Sequence, residues 1–252
     1  MQRIIIEPNL WLYQFPPLPK RHWAINVCVL VNGSDALLMD TGYEKNGADV
    51  LADLQAQGLT PRQVVLSHFH DDHLLGLKSL PPVELLGSED YRKTFDLYFE
   101  GEDVSLYIPQ HKLHTGSTHT FGSFQLRFLV RPGHALCNTY TIINERYIQV
   151  GDDVMLTNQG EAILPWVEFS RVADHIASLE MLKEYSHLTF LPSHGSPLSG
   201  QEKILADLDN RLAFLRAVQS GQGKLDYAQA SQNCTGPFLH SEWHEKTYMV
   251  SE

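Results

Sequence analysis

The segment His68-Phe69-His70-Asp71-Asp72-His73 constrains this chain more than any other part of it. It follows directly on Val64-Val65-Leu66, an apolar run that reads as a buried strand. A strand ending in three imidazoles and two carboxylates either solvates those groups in a polar turn or commits them to cations. A polar turn has no need of three histidines, so the spacing favours cations. On an extended or turning segment, residues 68 and 70 point the same way and can hold one metal ion. Asp72 and His73, past the turn, can address a second. Imidazole with carboxylate suits zinc, and also iron or manganese.

The rest of the chain repeats the theme of strand ends that carry ligand-type residues. Residues 25–31 and 36–39 read as a hairpin turning at Asn32-Gly33. A helix is expected after Asp40-Thr41-Gly42, with Val50, Leu51 and Leu54 inward and Gly58 at its end. Residues 125–130 form a strand leading to Gly133-His134. Residues 139–143 and 147–150 pair across 144–146, and the second runs into Gly151-Asp152. Ser170 is placed to cap a helix whose apolar face is Val172, Ile176, Leu179 and Leu182. Residues 188–191 form a strand ending at Ser193-His194-Gly195. A last helix over 201–218 buries Ile204, Leu205, Leu208, Leu212 and Leu215. The expectation is a single domain over 1–252, sheets flanked by helices, with the helix and tail from about 201 packed on it.

Composition limits the function classes. Of 252 residues, 43% are apolar, enough for a core without disulfides. Thirty acidic against 19 basic residues give a net charge of -11, which disfavours nucleic acid and anionic membranes as partners and leaves a small-molecule substrate. Cys28, Cys137 and Cys234 have no CxxC spacing and point to a reducing compartment. The apolar run Ile4-Ile5-Ile6 is too short for a signal-peptide core. A soluble cytoplasmic protein is expected.

With HxHxDH at 68–73, the sequence resembles the metallo-β-lactamase superfamily. Further motifs follow in order: Asp40-Thr41-Gly42, Pro132-Gly133-His134, Gly151-Asp152 and Ser193-His194-Gly195. The resemblance spans roughly residues 8–215 and implies a four-layer αββα sandwich. It also implies two divalent metal ions, zinc foremost, with iron or manganese as alternatives. His68, His70 and His134 would hold the first, Asp72, His73 and His194 the second, and Asp152 would bridge them. Asp40 would position a ligand rather than bind metal. Asp153, beside Asp152, reads as solvated or as a cap of the following turn. Asp71 reads as a surface or supporting residue, and Cys137 as an inert buried thiol.

The implied activity is hydrolysis of an ester, thioester or lactone-like bond by a metal-bound hydroxide, with Asp72 and Asp152 orienting it or accepting its proton. An iron dioxygenase acting on a thiol or persulfide, a phosphodiesterase and a β-lactamase are the alternatives. Departures from the best-known branches narrow this. The residues after Asp152, Asp153-Val154-Met155, lack the Gly- and Cys-rich segment of glyoxalase-II-type thioesterases. Met155 stands where quorum-signal lactonases often place a tyrosine. Secreted β-lactamases do not use the bridging aspartate that is present here. His70 separates the chain from flavin-linked di-iron oxidases, which carry glutamate there. The segment 163–169 reads as core more than as pocket lining. The aromatic tail, with Phe238, His240, Trp243, His244 and Tyr248, reads as packed terminal structure, with a lid or a homodimer contact as alternatives.

Overall fold

The computed structural model describes residues 1–17, 21–99 and 103–249. Strands β1 (Gln2–Glu7), β2 (Leu10–Gln14), β3 (Asn26–Asn32), β4 (Asp35–Met39), β5 (Thr60–Val65), β6 (Glu84–Ser88) and β7 (His111–Leu113) form one sheet in that spatial order. Strands β8 (Thr118–Phe121), β9 (Phe124–Val130), β10 (Thr139–Ile143), β11 (Tyr147–Gly151) and β12 (Thr189–Pro192) form a second, in the order β12-β11-β10-β9-β8. The helices are α1 (Glu44–Ala56), α2 (Asp71–Leu74), α3 (Arg92–Tyr98), α4 (Val172–Leu182), α5 (Gln201–Ser220), α6 (Tyr227–Ala230) and α7 (Trp243–Tyr248).

The period of two in each strand divides the apolar residues among three cores. Val27, Val29 and Val31 of β3 face Val50 and Leu54 of α1 on the outside of the first sheet. Their neighbours Cys28 and Leu30 face inward, against Leu126 and Phe128 of β9 and Ile143 of β10 in the second sheet. Tyr140, Ile142, Ile148 and Val150 then cover the far side of that sheet with Leu179 and Leu182 of α4 and Leu208, Leu212 and Leu215 of α5. Three stacked cores make four layers, the expected αββα sandwich. Each buried Val or Leu contributes about 1.5–3 kcal/mol, which offsets the cost of burying a polar edge.

That edge is built where strands are parallel. Strands β4 to β7 run parallel, as do β11 and β12. The chain leaves β4 at Asp40, β5 just before His68, β11 at Asp152 and β12 at His194. Cross-links tie these ends together: Asn26 N–H donates to Ser193 O at 2.9 Å and Thr139 N–H to Ser67 O at 2.7 Å.

Several local expectations shift. Asn32 pairs with Asp35, so the hairpin turn is Gly33-Ser34, with Gly33 at φ 61°. Strand β5 begins at Thr60, four residues before the apolar run. Ser170 caps nothing: it lies in a 3-10 turn over Phe169–Arg171 that feeds into α4. Leu205 of α5 is only half-buried, while Arg211 is fully buried on the same helix. Among the described residues no helix is long and apolar enough to cross a membrane.

Candidate metal centre

The six residues after β5 turn sharply because α2 starts at once. His70 sits in extended conformation at the N-cap, and Asp71 Oδ1 accepts from Asp72 N–H at 2.9 Å. Two glycines seat this turn. A Cβ on Gly76 would lie 2.2 Å from Thr41 O, and one on Gly47 2.4 Å from Gly76 O. Glycine at both positions lets α1, the Asp40 loop and the histidine turn touch backbone to backbone. Thr41 N–H and its hydroxyl then both donate to His73 O at 2.8 Å.

The predicted residues converge. His70 Nδ1 lies 3.0 Å from His68 Nε2 and 3.2 Å from His134 Nε2. Across from them, His73 Nε2 is 3.4 Å from Asp72 Oδ1, and His194 Nε2 is 3.5 Å from Asp72 Oδ2. Asp152 stands between the two groups. Its Oδ2 is 3.1 Å from His194 Nε2, 3.8 Å from His134 Nε2 and 4.0 Å from His68 Nε2, and its Oδ1 is 3.5 Å from His73 Nε2.

Partners on the far side of each ring set which nitrogen faces inward. A carbonyl only accepts, so His134 Nδ1–H donates to Trp166 O at 2.6 Å and His194 Nδ1–H to Ala24 O at 2.8 Å. His73 Nδ1–H donates to Asp40 Oδ2 at 3.0 Å. The Ser67 hydroxyl gives its proton to Asp40 Oδ2 at 2.8 Å, so Ser67 Oγ accepts from His68 Nδ1–H at 3.1 Å. All four Nε2 atoms are thereby left with lone pairs aimed into the site. Asp40, at φ 59° and almost fully buried, gathers donors from Ser67, His73, Gln149 and Ser193.

This donor set fits metal ions. One hydrogen on His70 Nδ1 can point at only one of the two lone pairs that face it. His73 Nε2 and Asp152 Oδ1, 3.5 Å apart, are buried with no hydrogen-bond partner among the described residues, a shortfall that a cation held between them would relieve. Charge agrees. Burial, then neighbouring imidazoles, hold His68 and His70 well below the usual histidine range, so these rings are neutral donors. At His73 and His194 burial acts in the same direction, but Asp152 with its neighbouring carboxylates overcomes it and raises both. Burial would raise Asp152; His194 and His73 outweigh it and keep the carboxyl well below its usual range. The site attracts positive charge at that position. His68, His70 and His134 form one group with metal-ligand spacing, Asp72, His73 and His194 another, and His68, His73 and Asp152 a third that joins them.

Asp153 corrects the sequence expectation: it is neither solvated nor a cap. It is fully buried and accepts from His134 N–H at 2.8 Å, Asn138 Nδ2 at 3.1 Å, Ser178 Oγ at 2.6 Å and the Tyr140 hydroxyl. From the other side, Arg171 donates to the carbonyls of Gly133 and His134 at 3.0 and 3.2 Å. The loop that carries His134 is clamped at both ends of one peptide. Nothing local marks Asp153 for this role, since its donors lie 13 to 25 residues away. Asp71 is exposed on the cleft wall. Cys137 is buried, and burial pushes its thiol up to about 11, as expected of an inert thiol.

The centre opens into a cleft of about 830 Å³. Ile163, Leu164 and Val167 are core, but Trp166 lines this cleft, as do His240 and Trp243 of the tail. The sequence reading of both segments as packed structure therefore holds only in part.

Comparison with known proteins agrees with this geometry. A sequence model of the metallo-beta-lactamase superfamily matches residues 22–194. Beta-lactamase-like protein 2 homolog of Drosophila melanogaster is 27% identical over 181 residues, 68% of this chain and 58% of that protein. The chain thus spans under two thirds of that relative. Hydroxyacylglutathione hydrolase of Xanthomonas euvesicatoria is 35% identical over 97 residues, 34% of this chain and 37% of that protein. A solved metallo-beta-lactamase from Pontibacter korlensis superposes with a TM-score of 0.65 at 18% identity, covering 85% of this chain and 98% of its own, and so shares the fold. With the family match covering most of the chain and the motifs from both sheets gathered at one edge of the sandwich, this protein belongs to the metallo-beta-lactamase superfamily.

Proposed function

We propose that the protein is a dinuclear metal-dependent hydrolase that cleaves an ester, thioester or lactone-like bond of a small molecule. The observation that carries this reading is the position of Asp152. Its two oxygens face nitrogens of both histidine groups, as a ligand shared by two ions must. His68, His70 and His134 would hold one ion, and Asp72, His73 and His194 the other, with zinc best suited to this nitrogen and carboxylate set.

When bound, such ions would supply a water of lowered pKa and an electrophile for the substrate oxygen. The chain's own residues do the rest. Asp72, facing both His73 and His194, is placed to orient the attacking water and hold its proton. The carbonyls of Ala24 and Trp166 fix the rings of His194 and His134, so the centre needs little reorganisation. The 830 Å³ cleft suits a small molecule rather than a polymer, and the net charge of -11 supports the same choice. The partial likeness to a hydroxyacylglutathione hydrolase supports acyl hydrolysis. Three unpaired cysteines suit a reducing, cytoplasmic setting.

The test is metal content and turnover together. Protein purified without added metal should carry two divalent ions per chain and hydrolyse a generic aryl ester, thioester or lactone. His70→Ala should lose metal and turnover in parallel. One iron per chain with oxygen uptake on a thiol or persulfide would replace this reading with a dioxygenase. Unchanged turnover in His70→Ala would end it.

A further inference from the structure

The cleft wall opposite the histidine turn is built by a part of the chain that the metal ligands do not explain. The tail docks on the segment after Asp152: Leu239 N–H donates to Ala162 O at 2.9 Å, Leu164 N–H to Leu239 O at 3.0 Å, and the Tyr248 hydroxyl to Pro165 O. His240, on the same stretch, takes φ 63°, a left-handed conformation that costs a residue with a side chain. Its ring is fixed on both sides. Nδ1–H donates to Glu242 Oε1 at 2.8 Å, and Nε2 lies 3.1 Å from His22 Nδ1. On that fixed ring Trp243 stacks, with centroids 4.3 Å apart and planes 10° from parallel. Trp243 in turn meets Trp166 edge-on at 4.7 Å and Trp23 at 5.1 Å.

This chain of contacts ends on an indole that is not itself packed away. Trp166 is 43% exposed, yet it is braced from behind and faces the cleft. Its backbone carbonyl is the one that orients His134, so the ring is anchored one residue's breadth from a proposed metal ligand. A strained backbone and three buttressing rings are more than a solvent-facing tryptophan needs. His240 and Trp243 also lie outside residues 22–194, the part that carries the family match.

Charge decides what the ring receives. Indole faces take planar aromatic groups or cations. With Asp72 and Asp152 committed to metal and Glu242 to His240, the charged side chains left on the cleft wall are Arg21, Lys78 and Asp71. Neither Arg21 nor Lys78 is in an ion pair among the described residues, and Arg21 already lies over Trp23 at 4.6 Å. A net positive wall repels a cationic ligand.

We propose that Trp166, braced by the C-terminal tail, is the stacking platform for the substrate's acyl group, and that the substrates are esters or thioesters of aromatic carboxylic acids. The inference rests on the hydrolase reading for the bond cleaved. Water adds at the acyl carbon, the bond to the leaving oxygen or sulfur breaks, and that atom takes a proton, leaving the aromatic acid and an alcohol or thiol.

The test separates ring recognition from chemistry. Calorimetry on the metal-loaded protein compares 2-naphthoate with cyclohexanecarboxylate. Both carry the carboxylate, so any direct effect of metal cancels. Naphthoate should bind at least about tenfold tighter. Trp166→Ala should abolish the difference, and Trp166→Phe, which keeps an aromatic face, should retain most of it. Because the Trp166 side chain is exposed, both variants should keep the far-UV circular dichroism of the parent. Equal binding of the two acids, a preference that survives in Trp166→Ala, or displacement of naphthoate by tetramethylammonium would overturn the proposal. Turnover of the benzoyl and acetyl thioesters of N-acetylcysteamine is read separately. Hydrolysis of neither, with naphthoate preference intact, sinks the hydrolase reading and leaves the ring site standing. Hydrolysis of both with equal binding of the two acids does the reverse.

Discussion

Asp153 accepts a hydrogen bond from the backbone N–H of His134 at 2.8 Å, from a position with no solvent exposure. The residue next to the proposed bridging aspartate therefore holds the loop of His134, a proposed metal ligand. Three further donors converge on the same carboxylate, from Asn138, Tyr140 and Ser178. Removing it strands all four in a low-dielectric site. Asp153→Ala should destabilise the fold by about 3 kcal/mol or more, read from urea unfolding of the metal-free protein. Asp153→Asn keeps the shape and lets the two hydroxyls turn to accept from the new amide, so its cost should be about half as large.

Asp40 offers a second test, because its carboxylate touches His73 and none of the proposed ions. Asp40→Asn preserves volume and tolerates φ 59°. It nevertheless turns an amide N–H toward donors already aimed at Asp40, whichever way it is flipped. Metal affinity should fall about 10- to 100-fold, measured by competition with a chromophoric chelator. Wild-type affinity in this variant would remove Asp40 from the positioning role.

His175, 3.8 Å from Asp153 Oδ1, predicts a pH dependence of stability. It is fully buried in α4, both ring nitrogens lack a hydrogen-bond partner among the described residues, and burial lowers it from 6.5 to about 4. The unfolded chain therefore binds this proton first as pH falls. Stability from this group is complete above pH 6.5, declines through the interval down to about 4, and is constant below. The loss should total roughly 3 kcal/mol. His175→Gln should flatten that part of the stability curve in chemical unfolding titrations from pH 7 to pH 4. An unchanged slope would mean that His175 is protonated in the fold.

Arg211 ties the last long helix to the cleft. Its guanidinium is fully buried, pairs with Asp207 at 2.7 Å and donates to Ile163 O and Met155 O at 2.9 and 2.8 Å. Arg211→Met leaves those carbonyls and Asp207 without their partner and should cost about 3–5 kcal/mol. Because both carbonyls belong to the segment that presents Trp166, limited proteolysis should cut the variant first within 155–166.

The hairpin of β3 and β4 was legible in the apolar runs 25–31 and 36–39, whereas the four layers were expected only from the resemblance of the motifs to the family; in the structure Val27 and Val29 turn to one core and Cys28 and Leu30 to another. Strands β1, β2, β6, β7 and β8 were not read from the sequence. β1 has its residues half-exposed at the sheet edge, and β7 has only three residues with Leu113 alone buried. The Ser170 cap failed for a related reason. A short 3-10 turn supplied the entry to α4, and a serine next to an apolar stripe carries no mark of which turn precedes it.

The identity and order of the ligand-type residues can be read along the chain without any coordinates. His68, His70, Asp72 and His73 are chemically conspicuous, and His134, Asp152 and His194 each follow an apolar strand that announces where its end will lie. The tertiary structure alone decided what surrounds them. Asp153 became a buried anchor, and Trp166 a braced wall of the cleft. Their partners, Ser178 in one case and Trp243 in the other, lie 25 and 77 residues along the chain. Ligand chemistry is a property of the side chain and is visible wherever the residue stands. Burial and bracing are properties of a meeting between distant segments, and they leave no period or spacing to read.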